Sequence, residues 1–133
     1  MKRALIAAAV VASLAVVAVA VHVALIEVGR EVVTLRMIGP DGELDETRLW
    51  IVDDAGSSWL HSGGEAWVRS FATSRVVEIE RGGEVRQFRA HAVPGPHDRV
   101  HDLMRKKYGL ADRWVRFIGP DNESTLAVRL DPL

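Results

Sequence analysis

The feature that most constrains this chain is the uncharged stretch from Ala4 to Ile26, in which nearly every residue is Ala, Val, Leu or Ile. A helix that spans a membrane needs about 20 apolar residues. Two interpretations stay open. The small residues of Ala18–Ala20 suit a cleaved signal peptide, whereas the apolar run that continues to Ile26 favours a retained anchor.

The charges around this stretch predict its orientation. Lys2 and Arg3 precede it, and cytoplasmic flanks are enriched in such cations. We therefore expect a single-pass protein of the inner membrane, with residues 1–28 as the anchor and 29–133 as one domain on the periplasmic side.

The remaining charges argue against nucleic acid as a partner. Of 17 cations only Lys2 and Arg3 precede the apolar stretch, and all 18 acids follow it, so the rest of the chain carries a formal net charge of −3. Nucleic-acid binding needs a basic surface. The chain has no cysteine, which excludes disulfides and thiolate metal ligands.

The pattern after residue 31 predicts six short, mostly antiparallel strands with helices in their connections. Apolar residues alternate in the strand segments and recur at helical spacing elsewhere. This order indicates an α+β fold built on a small split β-barrel, in which the first three strands form a meander. The predicted strands are 32–38, 47–52, 59–61, 75–81, 84–93 and 126–130, and the helices are 65–73, 96–108 and 111–118.

Two places could hold an anionic cofactor. Ser62, Gly63 and Gly64 lead into the helix that contains Trp67, and free backbone N–H groups at a helix start bind phosphates. An ordinary capped loop is the alternative. Arg48 and Trp50 alternate onto the polar face of their strand, where they could line a groove for a flat ligand.

His97 and His101 lie four residues apart on a predicted helix. This spacing can direct two imidazoles at one metal ion. The sequence indicates no third ligand, so we expect a solvated polar face and no metal site. No residue stands out as a general acid or base, and the catalytic residues stay unassigned.

The combined pattern resembles a known family. The segments "SRVVEIERGGEVRQFRA", "LMRKKYGLADRWV" and the terminal "AVRLDPL", in this order after the apolar stretch, are similar to those of the nitroreductase/quinone reductase family of flavin- and deazaflavin-linked split-barrel proteins, which are related to the pyridoxamine-phosphate oxidases. The resemblance implies a cofactor, deazaflavin or FMN, in a groove beside the barrel.

The resemblance also marks a departure. Deazaflavin-using relatives carry a basic segment after the first strand, and here that position reads Gly39-Pro40-Asp41-Gly42-Glu43. Carboxylates repel a phosphate. A phosphorylated cofactor would then depend on Arg48, Arg69 and the amides of residues 62–64, with Trp50 and Trp67 packed on its ring.

The sequence therefore predicts a membrane-anchored flavin- or deazaflavin-linked oxidoreductase. Its substrate would be a small electron acceptor such as a quinone, and a homodimer is an open possibility. Two alternatives remain: a non-catalytic binding or assembly module on the same barrel, and a haem or other tetrapyrrole binder with His61 or His91 as ligand.

Overall fold

The computed structural model describes residues 1–39 and 41–133. It divides into two units, Met1–Arg30 and Glu31–Leu133, which we describe separately. The turn predicted around Pro40 lies in part outside the described residues.

The first unit is a single helix, α1 (Lys2–Ile26). Its apolar segment Ala4–Ile26 has 23 residues, and none of the segment is buried. The Arg30 guanidinium donates hydrogen bonds to the carbonyls of Ala24 (3.3 Å) and Val28 (2.8 Å). The Ala24 carbonyl is one of those that a helix end leaves without partners. By length and composition α1 suits a membrane span, and a signal sequence has the same properties.

The second unit contains seven strands and three helices within the described residues. The strands are β1 (Val32–Ile38), β2 (Leu44–Trp50), β3 (Val52–Asp54), β4 (Ser57–Gly63), β5 (Arg75–Arg81), β6 (Glu84–Val93) and β7 (Thr125–Pro132). The helices are α2 (Glu65–Ser70), α3 (Asp98–Tyr108) and α4 (Leu110–Ile118).

All seven strands belong to one antiparallel sheet, with the order β2-β1-β5-β6-β7-β4-β3. Strands β2 and β3 are the two edges, yet only Ile51 separates them in the chain. The sheet must therefore curl until its edges approach one another, and this makes it a split barrel.

The predicted three-stranded meander is therefore wrong, because β2 pairs with β1 whereas β3 pairs with β4. The strand predicted over 47–52 is two strands, because the chain leaves the ladder with β1 at Trp50 and enters the ladder with β4 at Val52. Ile51 sits at the break, fully buried. Alternation of side chains continues through the break, so the sequence alone gives no sign of it.

The core fills the curled sheet. Val33, Leu35 and Met37 point inward from β1, as their alternation predicts. Trp67 and Phe71, at α2 and just after it, pack edge to face (centroids 4.7 Å apart) in the same cluster. Helix α2 therefore covers the barrel with aromatic side chains.

A second apolar cluster lies where α3 packs on the sheet. Val100, Met104 and Tyr108 face Val52 and Ala127, with Trp59 and Trp50 at its margin. These are the positions that the predicted helical spacing places on one face. This packing holds α3 against the face of the sheet opposite the main core.

Candidate metal centre

The candidate site begins with His61 on β4. In a strand, alternate side chains share a face. Leu60 points into the core, whereas Trp59 and His61 lie on the outer face. Because α3 packs over that face, His61 meets the start of α3.

Two further histidines, His97 and His101, come from the start of α3. His97 is the residue just before the helix, and its carbonyl accepts the hydrogen bond of the His101 amide (2.9 Å). One helical turn thus separates them on one face. Asp121 reaches the same point from the connection between α4 and β7.

The four side chains converge on one point. The Nε2 atom of His61 lies 3.2 Å from Nδ1 of His97 and 3.1 Å from Nε2 of His101. The Oδ2 atom of Asp121 lies 2.9 Å from His101 Nε2, 3.7 Å from His61 Nε2 and 3.9 Å from His97 Nδ1. All four ligand atoms fall within 4.8 Å of one another.

These separations fit a single transition-metal ion. Zinc binds imidazole nitrogen at 2.0–2.1 Å, and in a tetrahedron this places neighbouring ligand atoms about 3.3 Å apart. Nitrogen-rich sets suit Zn, Cu, Ni or Fe, whereas Ca²⁺ and Mg²⁺ take oxygen ligands. The donor set is therefore that of a transition-metal site.

Hydrogen bonding without a metal satisfies this cluster poorly. A ring nitrogen carries either one proton or one lone pair, so His61 Nε2 can form one well-directed hydrogen bond. Three polar atoms nevertheless lie within 3.7 Å of it. A metal ion would serve all four groups at once.

Burial favours the neutral form of His61 and His101. The side chains of His61, His97 and His101 are only 15–16% exposed. Desolvation lowers the pKa of His61 to about 4, although Asp121 acts in the opposite direction. The pKa of His101 is lowered too, first by burial and then by the charge of Arg116. Neutral imidazole is the form that binds a metal.

The expectation of a solvated polar face at His97 and His101 is therefore wrong. The pair was visible in the sequence, but its partner His61 lies 36 residues before His97 and 40 residues before His101 in the chain. One signal was available: His61 follows an inward Leu60 on a strand, which places it on an outer face that a helix has to cover.

The residues predicted to hold a cofactor do not form one site. Trp67 is 7% exposed and its indole N–H points at the Leu126 carbonyl (3.4 Å), so a stacking role is at odds with its place in the core. Arg69 is exposed and pairs with Glu65 on its own helix (3.5 Å).

The backbone of the loop predicted as an anion site is already hydrogen-bonded within the protein. Ser62 and Gly63 belong to the ladder with β7, and the Gly64 amide donates to the Ser124 carbonyl (3.1 Å). Gly64 has a φ of 118°, a conformation that favours glycine. The glycines therefore serve the entry into α2.

Arg48 and Trp50 do lie on one face of β2. Arg48 is exposed, and the Trp50 ring stacks on Tyr108 with centroids 4.4 Å apart and planes 10° apart. One face of the indole is thus covered by the protein. Trp50 belongs to the packing between α3 and the sheet.

A cleft of about 620 Å³ opens elsewhere on the barrel. Ile79 and Phe88 supply apolar surface, and the charged residues that line the cleft are Asp53, Asp54, Arg81, Glu84 and Arg86. Arg81 is held by Glu31 (2.6 Å) and by Asp53 on the cleft wall (2.8 Å). None of the predicted cofactor residues lines this cleft.

The fold is that of the split β-barrels of the pyridoxamine 5′-phosphate oxidase type. HutZ, the heme storage protein from Vibrio cholerae, superposes with a TM-score of 0.55 at 13% identity, over 79% of this chain and 83% of that one. A candidate pyridoxamine 5′-phosphate oxidase from Listeria innocua gives 0.53 at 17% identity, over 83% and 89%.

An F420 reductase has the same fold, with a TM-score of 0.52 at 16% identity, over 84% of this chain and 92% of that one. No model of a protein family matches the sequence, and no curated protein matches it. At such identities the likeness establishes the fold, and function has to be argued from the residues.

Proposed function

We propose that this split-barrel protein binds one divalent transition-metal ion, zinc in the first instance, through His61, His97, His101 and Asp121. One observation carries the proposal: four ligand atoms from three separate segments lie within 4.8 Å of one another. Their nearest separations match those of tetrahedral coordination.

The way the cluster is built supports a bound ion. Its ligands come from β4, from the start of α3 and from the connection after α4. A metal would join these segments, and the helical pair α3–α4 would be fixed to the barrel. Binding free energy would then add to folding free energy.

Cobalt gives a direct test. The full chain in detergent, stripped with EDTA, is titrated with Co²⁺, whose visible d–d absorption reports tetrahedral coordination. We expect one equivalent to bind and to be displaced by Zn²⁺. His61→Ala and His101→Ala should abolish the spectrum.

The matched control is His91→Ala. His91 lies outside the cluster, 3.9 Å from Asp131, and its replacement should leave the titration unchanged. If the wild type binds no Co²⁺, or binds it equally well with His61 replaced, the proposal is refuted.

The close approach of the three imidazoles argues against haem binding at this cluster. A porphyrin takes the four equatorial positions of its iron, and the protein supplies axial ligands only. Three imidazoles that meet at 3.1–3.2 Å leave no plane for a macrocycle between them. A Soret band after incubation with haemin that is lost in His61→Ala would reverse this conclusion, whereas its loss in His91→Ala alone would place haem outside the cluster, at His91.

A second candidate function rests on the 620 Å³ cleft. Its size lies in the range of small-molecule sites. Phe88 provides an aromatic ring, and Arg86 provides a guanidinium that is paired with Glu84 (2.9 Å). This favours the predicted flavin- or deazaflavin-linked oxidoreductase, with a quinone-like acceptor, on a barrel shared with an F420 reductase. The metal centre lies elsewhere, so the two functions are compatible.

Titration of the full chain with FMN and with deazaflavin, followed by fluorescence, tests this candidate. Arg86→Ala should weaken binding if the cleft is the site, whereas Arg48→Ala should do so if the predicted groove is. Replacing Asp41 and Glu43 by Lys and Arg should strengthen deazaflavin binding only if the predicted groove is the site. If neither the wild type nor the charge-restored variant binds FMN or deazaflavin at tens of micromolar, the oxidoreductase proposal is refuted.

A further inference from the structure

Helix α4 presents apolar side chains to solvent along one face. Leu110, Trp114, Phe117 and Ile118 recur at the spacing that places residues on one side of a helix, and they are 37–80% exposed. We call these four side chains the α4 face. The rings of Trp114 and Phe117 are neighbours, with centroids 6.3 Å apart, so the apolar surface is continuous.

The ion pair of α4 lies on the side of the helix that faces the protein. Ala111 and Asp112 are buried, and Asp112 pairs with the half-buried Arg116 one turn further on (3.3 Å). A surface helix normally directs its apolar residues to the core and its charged residues to water. This helix has the reverse arrangement. Contiguous exposed apolar surface of this kind marks a contact with another molecule or with a membrane.

The α4 face lies in a basic part of an otherwise acidic domain. Residues 98–118, which comprise α3, Gly109 and α4, contain six cations and three acids, whereas the rest of the chain after residue 26 contains nine cations and 15 acids. Arg113, which precedes Trp114 on α4, is exposed, and so are Arg105 and Lys106 near the end of α3. The surroundings of the face therefore suit an anionic partner.

The chain also brings the domain close to a membrane. Residues 27–30 separate α1 from the domain that begins at Glu31, and four residues extend over at most about 14 Å. A retained α1 therefore keeps the domain near the lipid headgroups.

A second copy of the chain fits the α4 face less well than a bilayer does. Four side chains of this exposure offer roughly 500 Å², given about 150–250 Å² for a whole aromatic side chain, and each partner in a stable dimer buries about 800 Å². Two such faces would also bring two sets of cations together. A bilayer accepts aromatic side chains at the headgroup level and attracts cations through its anionic lipids.

We propose that α4 binds an anionic bilayer surface, with the α4 face inserted at the headgroup level, as a second membrane contact in addition to α1. This inference is independent of the metal site and rests on the retention of α1. Such a helix lies in the plane of the interface and buries its apolar side chains about 5–10 Å deep. The contact would fix the orientation of the domain on the membrane.

Quenching of tryptophan fluorescence by brominated lipid tests this on the full chain in vesicles. Half of the lipid is phosphatidylglycerol, and half is phosphatidylcholine brominated near the carbonyl end of one acyl chain. We expect quenching in the wild type and its loss in Trp114→Phe, because the other tryptophans, Trp50, Trp59 and Trp67, pack in the two apolar clusters. Phe117→Glu should cut the quenching at least about twofold.

Two controls separate this contact from changes in folding or in charge. Phe117→Glu should leave the thermal midpoint unchanged, because the ring is exposed, and Val85→Glu, at an exposed apolar residue of β6, should leave the quenching unchanged. Arg113→Gln should weaken the quenching in these vesicles and not in vesicles of phosphatidylcholine alone, since it removes an attraction to anionic lipid. An equal effect in both would overturn the preference for anionic lipid.

Three results would overturn the proposal. Absence of quenching in the wild type, or full quenching in Trp114→Phe, would exclude the contact between α4 and lipid. A dimer in detergent that Phe117→Glu dissociates in analytical ultracentrifugation, together with no quenching, would assign the α4 face to a second copy. A chain that begins at Val21, found by mass spectrometry, would refute the retained anchor and this inference with it.

Discussion

The Tyr108 hydroxyl completes the hydrogen bonding of the Ile51 backbone at the point where the barrel closes. It accepts a hydrogen bond from the Ile51 amide (3.1 Å), and its proton is shared between the carbonyls of Ile51 (2.9 Å) and Glu31 (2.8 Å). Ile51 belongs to neither neighbouring ladder. A side chain from α3 thus replaces the strand partner that the crossover lacks.

Tyr108→Phe should therefore destabilise the domain by roughly 1–3 kcal/mol, because it leaves a buried amide without an acceptor. Denaturant midpoints with the slope held constant measure this. Thr73→Val, which alters an exposed side chain, is the control and should change little. An equal midpoint for Tyr108→Phe and wild type would mean that water takes over the hydroxyl's contacts.

Trp67→Ala should cost roughly 3–5 kcal/mol, since the indole fills the core beside Phe71. Trp114→Ala is the matched comparison, because that indole is 37% exposed on α4. We expect a loss several times smaller there. Similar losses for the two tryptophans would contradict the core assignment of Trp67.

The metal-free protein should lose stability as the pH falls from about 6.5 to about 4. The pKa of His61 is lowered to about 4 in the folded state, so over this range the unfolded chain binds the proton first, and protons favour unfolding. The loss due to His61 can reach about 3 kcal/mol at the lower limit. His101 shifts in the same direction.

Urea unfolding of the EDTA-treated protein between pH 7 and 4.5 measures this effect. The lower bound avoids the range in which carboxylates with lowered pKa values, such as those of Glu31 and Asp53, begin to lose their stabilising contacts. His61→Gln should flatten the pH dependence. An unchanged slope in that variant would assign the effect to other groups.

Zinc should raise the thermal midpoint of the full chain, and EDTA should reverse the change. At a free concentration of about 100 times Kd, a ligand that binds only the folded state adds about 2.7 kcal/mol. The gain should shrink as the pH falls, because protons compete for the imidazoles. His61→Ala should show no zinc-dependent shift, and a full shift in it would place the zinc elsewhere.

Alkaline carbonate extraction tests the anchor. The 23-residue apolar helix should keep the chain in the membrane fraction, and protease added to the periplasmic side should cleave the domain. A mature N-terminus at Val21, found by mass spectrometry, would identify a cleaved signal peptide instead.

Much of the local structure was predictable because it depends on local periodicity. The strands at 75–81 and 84–93 match the structure, as alternating residues on each side of Gly82-Gly83 require. Both glycines have positive φ, 58° and 82°, which a two-residue hairpin of this type needs. Helix α3 ends before Gly109 for a related reason, since that residue has a φ of 55°.

The candidate site was predictable only in part, because its members are far apart in the chain. His97 and His101 have metal-binding spacing, but His61 and Asp121 are brought to them by the packing of α3 on the outer face of β4 and by the return of the chain after α4. Two of the residues predicted to hold a cofactor, Trp67 and Gly64, serve the core and the backbone hydrogen bonding instead.

The sequence by itself determined most of the strands and helices, which faces are apolar and the extent of the apolar N-terminal segment, because each depends on the spacing of neighbouring residues. The tertiary structure alone decided that the chain breaks its ladder at Ile51 to close the barrel, that Tyr108 completes that break and that three histidines and an aspartate share one point. Those outcomes depend on the order of strands in the sheet and on how α3 packs against it. Contacts between residues that are far apart in the chain produce no periodic pattern in the sequence.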